Sequence, residues 1–174
     1  MGTENKTVTT IKQIAINDPR HLSESDFLAS VVGRHDELES LLSLIRASGA
    51  DNSLHLLLFG TRGMGKTSML RRIAIAVKQE QELARQWIPI NYREEQHNVT
   101  ELVFFWKNTA DGLAEWCEDN DDNASAKLLD DAVENRIEAQ ELLDLILSVC
   151  AQHQARMILL VDNLDMIIQG LSDV

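Results

Sequence analysis

The chain has 174 residues, of which 44% are hydrophobic and 25% charged, and its formal net charge is −12. This length suits one domain with a sizeable core, and the composition is ordinary for a soluble globular protein. No apolar run approaches the ~18 residues that suggest a membrane span, so we expect no membrane association. Cys117 and Cys150 lack metal-ligand spacing, which predicts buried or semi-exposed thiols in a cytoplasmic protein.

The first part of the chain predicts a polar arm, a helix and a strand. Residues 1–30 lack strong periodicity, and Ser23 or Ser25 is suited to cap a short turn there. A helix is expected after the segment Val31–Leu38, ending near Gly49. The run Leu54–Phe59 is continuously apolar, which predicts a strand buried on both faces.

A glycine-rich loop follows this run. Its sequence fits the pattern G-x-x-x-x-G-K-[ST] at every fixed position: Gly60-Thr61-Arg62-Gly63-Met64-Gly65-Lys66-Thr67. Apolar residues then recur at helical spacing from Ser68 to Ala84. Between a strand and a helix, such a loop surrounds a phosphate with backbone N–H groups at the positive end of the helix dipole. The match at every fixed position disfavours the alternative, a glycine-rich turn without a ligand.

The loop pattern also assigns roles to two side chains. Lys66 is expected to reach the β- and γ-phosphates of a nucleotide, and the hydroxyl of Thr67 is expected to bind Mg²⁺.

The middle of the chain predicts a strand and two long helices. The apolar segment Trp87–Tyr92 contains Pro89, which favours an edge strand or an early strand position. Asn98 is a suitable N-cap for the first helix. A polar connection at 119–126 leads to one long helix over about 128–154.

Most of the negative charge lies in this region. Between Asp111 and Asp144 there are twelve acidic residues and two basic ones, a net charge of −10. Because phosphate contacts need Lys and Arg, this segment is not a nucleic-acid surface. We expect a helical face with its charges in water and no divalent-metal site; a surface for a basic partner is the alternative.

A third strand, Met157–Val161, ends in Asp162. An acid at the carboxyl end of a buried strand lies where α/β sheets bind ligands, so Asp162 is expected to hold Mg²⁺ opposite Thr67. An acidic turn residue is the alternative. The order strand–helix–strand–helices–strand predicts an α/β fold in three layers, a parallel sheet with helices on both faces.

Three of these elements, in this order, resemble the AAA+ ATPases and their relatives, the STAND signalling ATPases. They are the box Val32-Gly33-Arg34-His35-Asp36-Glu37-Leu38, the phosphate loop (Walker A) and the strand that ends in Asp162 (Walker B). The segments 87–100 and 105–106 are similar to those of a bacterial subgroup of such ATPases. The resemblance covers about Val31 to Asp165. It implies a P-loop NTPase domain over residues 31–174 that binds ATP or ADP with Mg²⁺.

This resemblance extends the nucleotide site beyond the loop. Val31, Val32 and Gly33 would lie along the adenine, Arg34 near the phosphates, and Ser68 beside the loop. The alternative places the two valines in the core and Arg34 on the surface at a helix start. GTP is disfavoured because no Asn-Lys-x-Asp motif follows the loop.

The residue after Asp162 departs from the family pattern. AAA+ enzymes usually carry a glutamate there that orients the attacking water, whereas this chain has Asn163, whose amide cannot act as a general base. The resemblance to STAND proteins makes Asp165 a candidate for positioning water. Lys66, Asp162, Asn163 and Asp165 are therefore the expected catalytic set, with Asn91 as a further polar candidate.

The family core continues past this strand with a sensor strand, an arginine finger and a helical lid, whereas nine residues follow Asp165 here. We therefore expect a core truncated after the Walker B strand, with weak or no hydrolysis unless missing elements or a partner complete it. Such a partner is a protein or another copy of the chain. The first hypothesis is an ATP-binding module of an AAA+/STAND-like ATPase. A nucleotide-dependent switch or interaction module without catalysis is the second, and a P-loop kinase is the least favoured.

Overall fold

The computed structural model describes residues 22–49, 54–92, 101–135 and 137–172. Within these ranges the chain is mostly helical, with a two-stranded parallel sheet. In chain order the elements are α1 (Glu24–Ser30), α2 (His35–Ala47), α3 (Lys66–Gln79), α4 (Gln81–Gln86), β1 (Trp87–Asn91), α5 (Leu102–Asp119), α6 (Asn123–Glu134), α7 (Ala139–Gln152), β2 (Arg156–Leu160) and α8 (Leu164–Ser172).

The chain divides into two compact units, Met1–Val32 and Gly33–Val174. The described part of the first unit contains α1, which begins at a serine cap as predicted. The Oγ atom of Ser23 accepts a hydrogen bond from the backbone N–H of Asp26 at 3.1 Å, which pairs one of the free N–H groups of the first turn. Phe27 is the buried residue of this helix.

The sheet of the second unit confirms two of the predicted strands. β1 and β2 run parallel, with Trp87 opposite Arg156 and Asn91 opposite Leu160. Parallel strands need a crossover of a dozen or more residues. Here α5, α6 and α7 form that crossover, so the carboxyl ends of both strands lie at the same edge of the sheet.

Alternate residues of the strands enter two separate hydrophobic clusters. Ile88 and Ile90 of β1 belong to the cluster that contains α5, α6 and α7. Trp87 of β1 and Leu160 of β2 belong to the cluster that contains α2, α3 and α4. Because successive side chains of a strand point to opposite faces, helices cover both faces of the sheet. This arrangement is compatible with a P-loop NTPase-like fold.

The segment Leu54–Phe59, expected as the first strand, forms no strand in the structure. Most of its side chains are exposed, Phe59 to 85%, and Leu58 alone packs against the second cluster. A continuous apolar run becomes a buried strand only where a neighbour accepts its backbone hydrogen bonds and both faces are covered. Neither described strand pairs with this run, so the strand prediction was wrong.

The helix boundaries differ from the sequence predictions at three points. The expected single helix over 128–154 is split into α6 and α7. α6 ends at its C-cap Asn135, whose backbone is extended (φ −86°, ψ 165°), and the side-chain amide of Asn135 donates to the carbonyl of Asp131 in the last turn. The helix after the glycine loop likewise breaks at Glu80, and the polar connection 119–126 shortens to the residues between α5 and α6. The expected cap at Asn98 lies outside the described residues.

Most of the described residues of the acidic segment 111–144 are helical, as predicted, and eleven of its twelve acidic residues are exposed. Asp122 is the exception, with a half-buried side chain. None of the helices in the described ranges is long and apolar enough to cross a membrane.

Both cysteines are buried, within the range that the sequence predicted. Burial raises the pKa of the Cys117 and Cys150 thiols to about 11, because an apolar environment disfavours the thiolate. Both thiols are therefore protonated at neutral pH.

A glycine sets the distance between α5 and β1. A Cβ atom built at Gly112 would lie 2.8 Å from Cγ2 of Ile90. Cγ2 of Ile90 is bonded directly to the branched Cβ of that residue, so it cannot rotate away from the helix. Only glycine permits this approach of helix to strand.

We expect Gly112→Ala to lower the free energy of unfolding, although alanine is the better helix former by about 1 kcal/mol. Overpacking at a tight contact costs about 1–3 kcal/mol. Urea denaturation of Gly112→Ala, Ile90→Ala and the double variant measures the coupling. In the Ile90→Ala background the same change should be neutral or stabilising. A stability loss of the same size in both backgrounds would contradict the assigned contact.

Candidate functional site

The glycine loop ends where α3 begins. Gly63 and Gly65 have φ angles of +87° and +76°, which glycine adopts without the steric cost of a Cβ. Gly65 is the N-cap of α3, and its carbonyl accepts the first bond of the helix from the N–H of Met69 at 2.9 Å. The N–H groups of residues 66–68, including Ser68, therefore precede the helical ladder, as an anion site requires.

The ammonium of Lys66 lies against the start of the loop. Its Nζ atom donates to the carbonyl oxygens of Gly60 at 2.8 Å and Thr61 at 3.2 Å. Both contacts are to neutral backbone oxygens, and charged phosphate oxygens accept stronger hydrogen bonds from an ammonium. The position of Lys66 thus suits exchange of these carbonyls for a phosphate group.

Thr67 and Asp162 meet, although 95 positions separate them in the sequence. The Thr67 hydroxyl donates a hydrogen bond to Oδ2 of Asp162. The other oxygen of Asp162, Oδ1, accepts the backbone N–H of Asn163 at 3.0 Å. A hydroxyl and a carboxylate are hard oxygen ligands of the kind that Mg²⁺ prefers.

Two other predicted residues lie just after Asp162. Asn163 is exposed and has a left-handed backbone with φ of +50°, and Asp165 is exposed in the first turn of α8. Neither side chain hydrogen-bonds to the loop within the described part of the chain. Asn91 ends β1 opposite Leu160, two residues before Asp162, at the same edge of the sheet.

Arg34 contacts the loop directly. It is the N-cap of α2, with φ of +56°, and its Nη1 atom donates to the carbonyl of Met64 at 2.7 Å. Its Nε atom also donates to Glu37 at 2.7 Å. The sequence placed Arg34 near the phosphates, and the structure places its guanidinium against the loop that would hold them.

Arg72 is a residue of this region that the sequence did not assign to the nucleotide site. It lies on α3, is only 5% exposed, and donates through Nη1 to the carbonyl of Gly33 at 2.8 Å. Its Nη2 atom lies 3.2 Å from Nδ1 of His35. Arg72 thereby fastens the segment before α2 to the helix that follows the glycine loop. A sequence signal existed, because Arg72 falls within the apolar stripe of α3, where a charge needs buried partners.

The two valines expected at the adenine belong to the first compact unit. Val31 is half-buried and Val32 is 92% exposed. An exposed valine does not fit the alternative that placed Val32 in the core. The adenine contact itself stays a prediction.

Comparison with known proteins gives one match. A model of the AAA ATPase domain family matches residues 30–171, a range that includes the box before α2, the glycine loop and Asp162. No curated protein and no solved structure matches the chain. Because the family match spans most of the sequence, the chain belongs to the AAA ATPase domain family.

Proposed function

We propose that this domain binds Mg-ATP or Mg-ADP in the loop Gly60–Thr67. The observation that carries the proposal is the contact of Thr67, at the start of α3, with Asp162, at the end of β2. It joins a phosphate-binding geometry to a carboxylate at the one sheet edge where parallel α/β folds bind ligands. The match to a family of ATPase domains supports the same assignment.

The residues present fit a magnesium ion at this site. Thr67 and Asp162 would hold it, the former directly and the latter directly or through water. When bound there, Mg²⁺ would neutralise charge on the β- and γ-phosphates. These two side chains already touch, so the protein itself sets the position of the ion relative to the loop.

The local charge also favours a triphosphate. Arg34, Arg62 and Lys66 lie in or against the loop, in a chain whose net charge is −12. Glu37 offsets the charge of Arg34, and the charges of Arg62 and Lys66 beside the loop N–H groups remain to attract anions. By the family resemblance, Gly33 and the valines before it would lie along an adenine.

Hydrolysis by this chain is proposed to be slow. A fast ATPase needs a group that orients the attacking water, and the position after Asp162 carries an amide that cannot accept the proton. Asp165, the remaining acidic candidate, lies three residues after Asp162 in the first turn of α8. We therefore favour an AAA+/STAND-like module in a three-layer P-loop fold, which another copy or a protein partner completes.

A nucleotide-dependent switch is the second candidate, and Asn163 is the observation that favours it. If ATP binds without rapid turnover, the nucleotide acts by stabilising one conformation over another. In such a switch Arg72 would transmit a movement of α3 to the segment before α2, because it hydrogen-bonds to that segment.

We expect Lys66→Ala to lower ATP affinity at least tenfold, about 1.4 kcal/mol, because water replaces its charge poorly. Isothermal titration calorimetry with Mg-ATP measures the effect. Lys78→Ala is the matched control, since Lys78 lies at the far end of the same helix and pairs with Asp119 at 3.6 Å. Equal affinities for both variants and the parent would count against the site.

Thr67→Ala should remove the magnesium dependence of ATP binding. Because its hydroxyl is assigned to the ion, the loss of affinity should appear in Mg²⁺ and vanish in EDTA, with Asp162→Asn behaving alike. Lys66→Ala, by contrast, should lose affinity in both buffers. If Thr67→Ala binds more weakly by the same factor with and without Mg²⁺, the metal assignment is wrong.

Turnover by the purified chain should be far below the ~10 s⁻¹ typical of enzymes. The reason is that Asn163 supplies no base. A steady-state phosphate-release assay measures the rate, with Lys66→Ala as the control for contaminating ATPases. A rate near ~10 s⁻¹ that disappears in Lys66→Ala would show that a complete hydrolytic site is present.

A further inference from the structure

A second cluster of candidate ligands lies where α5 and α7 end, outside the nucleotide site. Cys117, Asp122 and His153 each offer one ligand atom, a thiol sulfur, a carboxylate oxygen and a ring nitrogen, and these atoms lie within 4.8 Å of one another. Nε2 of His153 and Oδ2 of Asp122 are 2.9 Å apart. Cys117 is fully buried, and the side chains of Asp122 and His153 are 16% and 23% exposed. An ion from solvent can therefore reach the cluster.

The end of α5 fixes two of the three groups. Asp121 has a left-handed backbone with φ of +62°, and its N–H donates to the carbonyl of Glu118 at 3.1 Å. The N–H of Asp122 donates to the carbonyl of Cys117 at 2.9 Å. This pair of bonds is a Schellman motif, which turns the chain back over the last turn of the helix. It brings Asp122 above Cys117.

The end of α7 has the same motif and supplies the third group. Gln154 has φ of +54° and donates its N–H to the carbonyl of Ala151, while Ala155 donates to Cys150 at 3.0 Å. His153 is the C-cap of this helix. The edge of its ring contacts Trp116, with 4.9 Å between the ring centroids. Its imidazole is therefore held in place on two sides.

The electrostatics of the cluster favour a cation. The carboxyl ends of two helices, of 18 and 14 residues, converge on it, and each such end carries a partial negative charge. The surrounding segment 111–144 has a net charge of −10. Oδ1 of Asp122 accepts the N–H of Ser125 at 3.1 Å and caps α6, while Oδ2 faces the ring nitrogen of His153.

We propose that Cys117, Asp122 and His153 form a binding site for one Zn²⁺ ion. Because Cys117 and Asp122 lie in segment 111–144, such a site departs from the sequence-based expectation of no divalent-metal site there. A sulfur, a nitrogen and an oxygen ligand suit zinc, whereas Mg²⁺ prefers oxygen ligands alone. Tetrahedral zinc, with bonds of about 2.0–2.3 Å, holds its ligand atoms roughly 3.3–3.8 Å apart. The cluster therefore closes on an ion through small side-chain rotations. Water takes the fourth position, and the displaced thiol proton passes to solvent.

The site joins three helices of the domain. Its ligands come from the end of α5, the cap of α6 and the end of α7, the layer that covers one face of the sheet. Zinc bound there stabilises the folded chain, because the unfolded chain does not hold the three groups together.

The competing explanation is an Asp122–His153 ion pair with no metal. It predicts that substitution of Cys117 has only the packing cost of a buried thiol and that zinc adds no stability. The zinc site predicts instead that Cys117 and His153 are both needed for a response to the metal. The two explanations therefore differ in what Cys117→Ala does to metal binding, independent of its effect on folding.

The test uses the untagged 174-residue chain, stripped with a chelator and kept in Mg²⁺. Calorimetry with Zn²⁺ should give one site per chain with micromolar or tighter affinity. Thermal unfolding at zinc concentrations about a hundredfold above Kd should shift Tm upward by about 5–10 °C. Co²⁺ in place of zinc should produce a thiolate-to-cobalt charge-transfer band, which reports directly on Cys117.

Matched variants separate ligands from neighbours. Cys117→Ala, His153→Gln and Asp122→Asn should lose zinc affinity at least tenfold; the last keeps the α6 cap, since asparagine caps as well as aspartate. Cys150→Ala, the other buried thiol, and His55→Gln, an exposed histidine, should keep it. His153→Gln remains informative if Cys117→Ala fails to fold.

Three results would overturn the site. The first is zinc binding that persists in both Cys117→Ala and His153→Gln. The second is equal loss in Cys150→Ala and Cys117→Ala, and the third is a cobalt complex without the thiolate band. Unchanged ATP binding in His153→Gln separates this site from the nucleotide site, whose failure would leave zinc binding intact.

Discussion

The hydrogen bond between Thr67 and Asp162 is the constraint on which the rest of the site depends. It requires α3 to begin directly at the glycine loop and β2 to end beside the first turn of α3. The level of β2 is set by its parallel register with β1, and that register needs the crossover through α5, α6 and α7. Gly112 determines how closely that crossover lies on the sheet. The contact between Thr67 and Asp162 therefore depends on the placement of α3, of both strands and of the crossover helices.

Two arginines connect the residues before α2 to the glycine loop and to the helix that follows it. Arg34 reaches forward to the carbonyl of Met64, and Arg72 reaches back from α3 to the carbonyl of Gly33. Both donate to backbone carbonyls, so these contacts fix positions, although the charge of Arg34 is also paired with Glu37. Arg62 and Lys66 add positive charge within the loop itself, in an acidic protein. A phosphate that enters this region meets charge, free N–H groups and a fixed backbone together.

Sequence reasoning succeeded where structure is determined locally. The start of α3 at a glycine loop, the cap at Ser23, the strands β1 and β2 and the helical acidic segment all follow from short-range patterns. It failed where a neighbour decides the outcome. Leu54–Phe59 has the composition of a strand but no paired strand in the described chain, and the expected helix over 128–154 is divided at the extended backbone of Asn135. The partners of Arg72, and the meeting of Cys117 with His153, depend on contacts across the fold that no spacing in the sequence encodes.

The turn after Asp162 bears on both the proposed metal site and the asparagine that stands where the resemblance to AAA+ enzymes expects a glutamate. Asp162 presents Oδ2 to Thr67 while its Oδ1 accepts the N–H of Asn163, and this geometry goes with a left-handed backbone at Asn163. Asparagine tolerates that conformation better than glutamate, for which a left-handed backbone costs roughly 1–2 kcal/mol. A glutamate at this position would therefore strain the turn that orients the carboxylate. If the domain binds Mg-ATP as proposed, the geometry that orients the Asp162 carboxylate would also disfavour a glutamate at the next position, which supports the proposal of nucleotide binding with slow turnover.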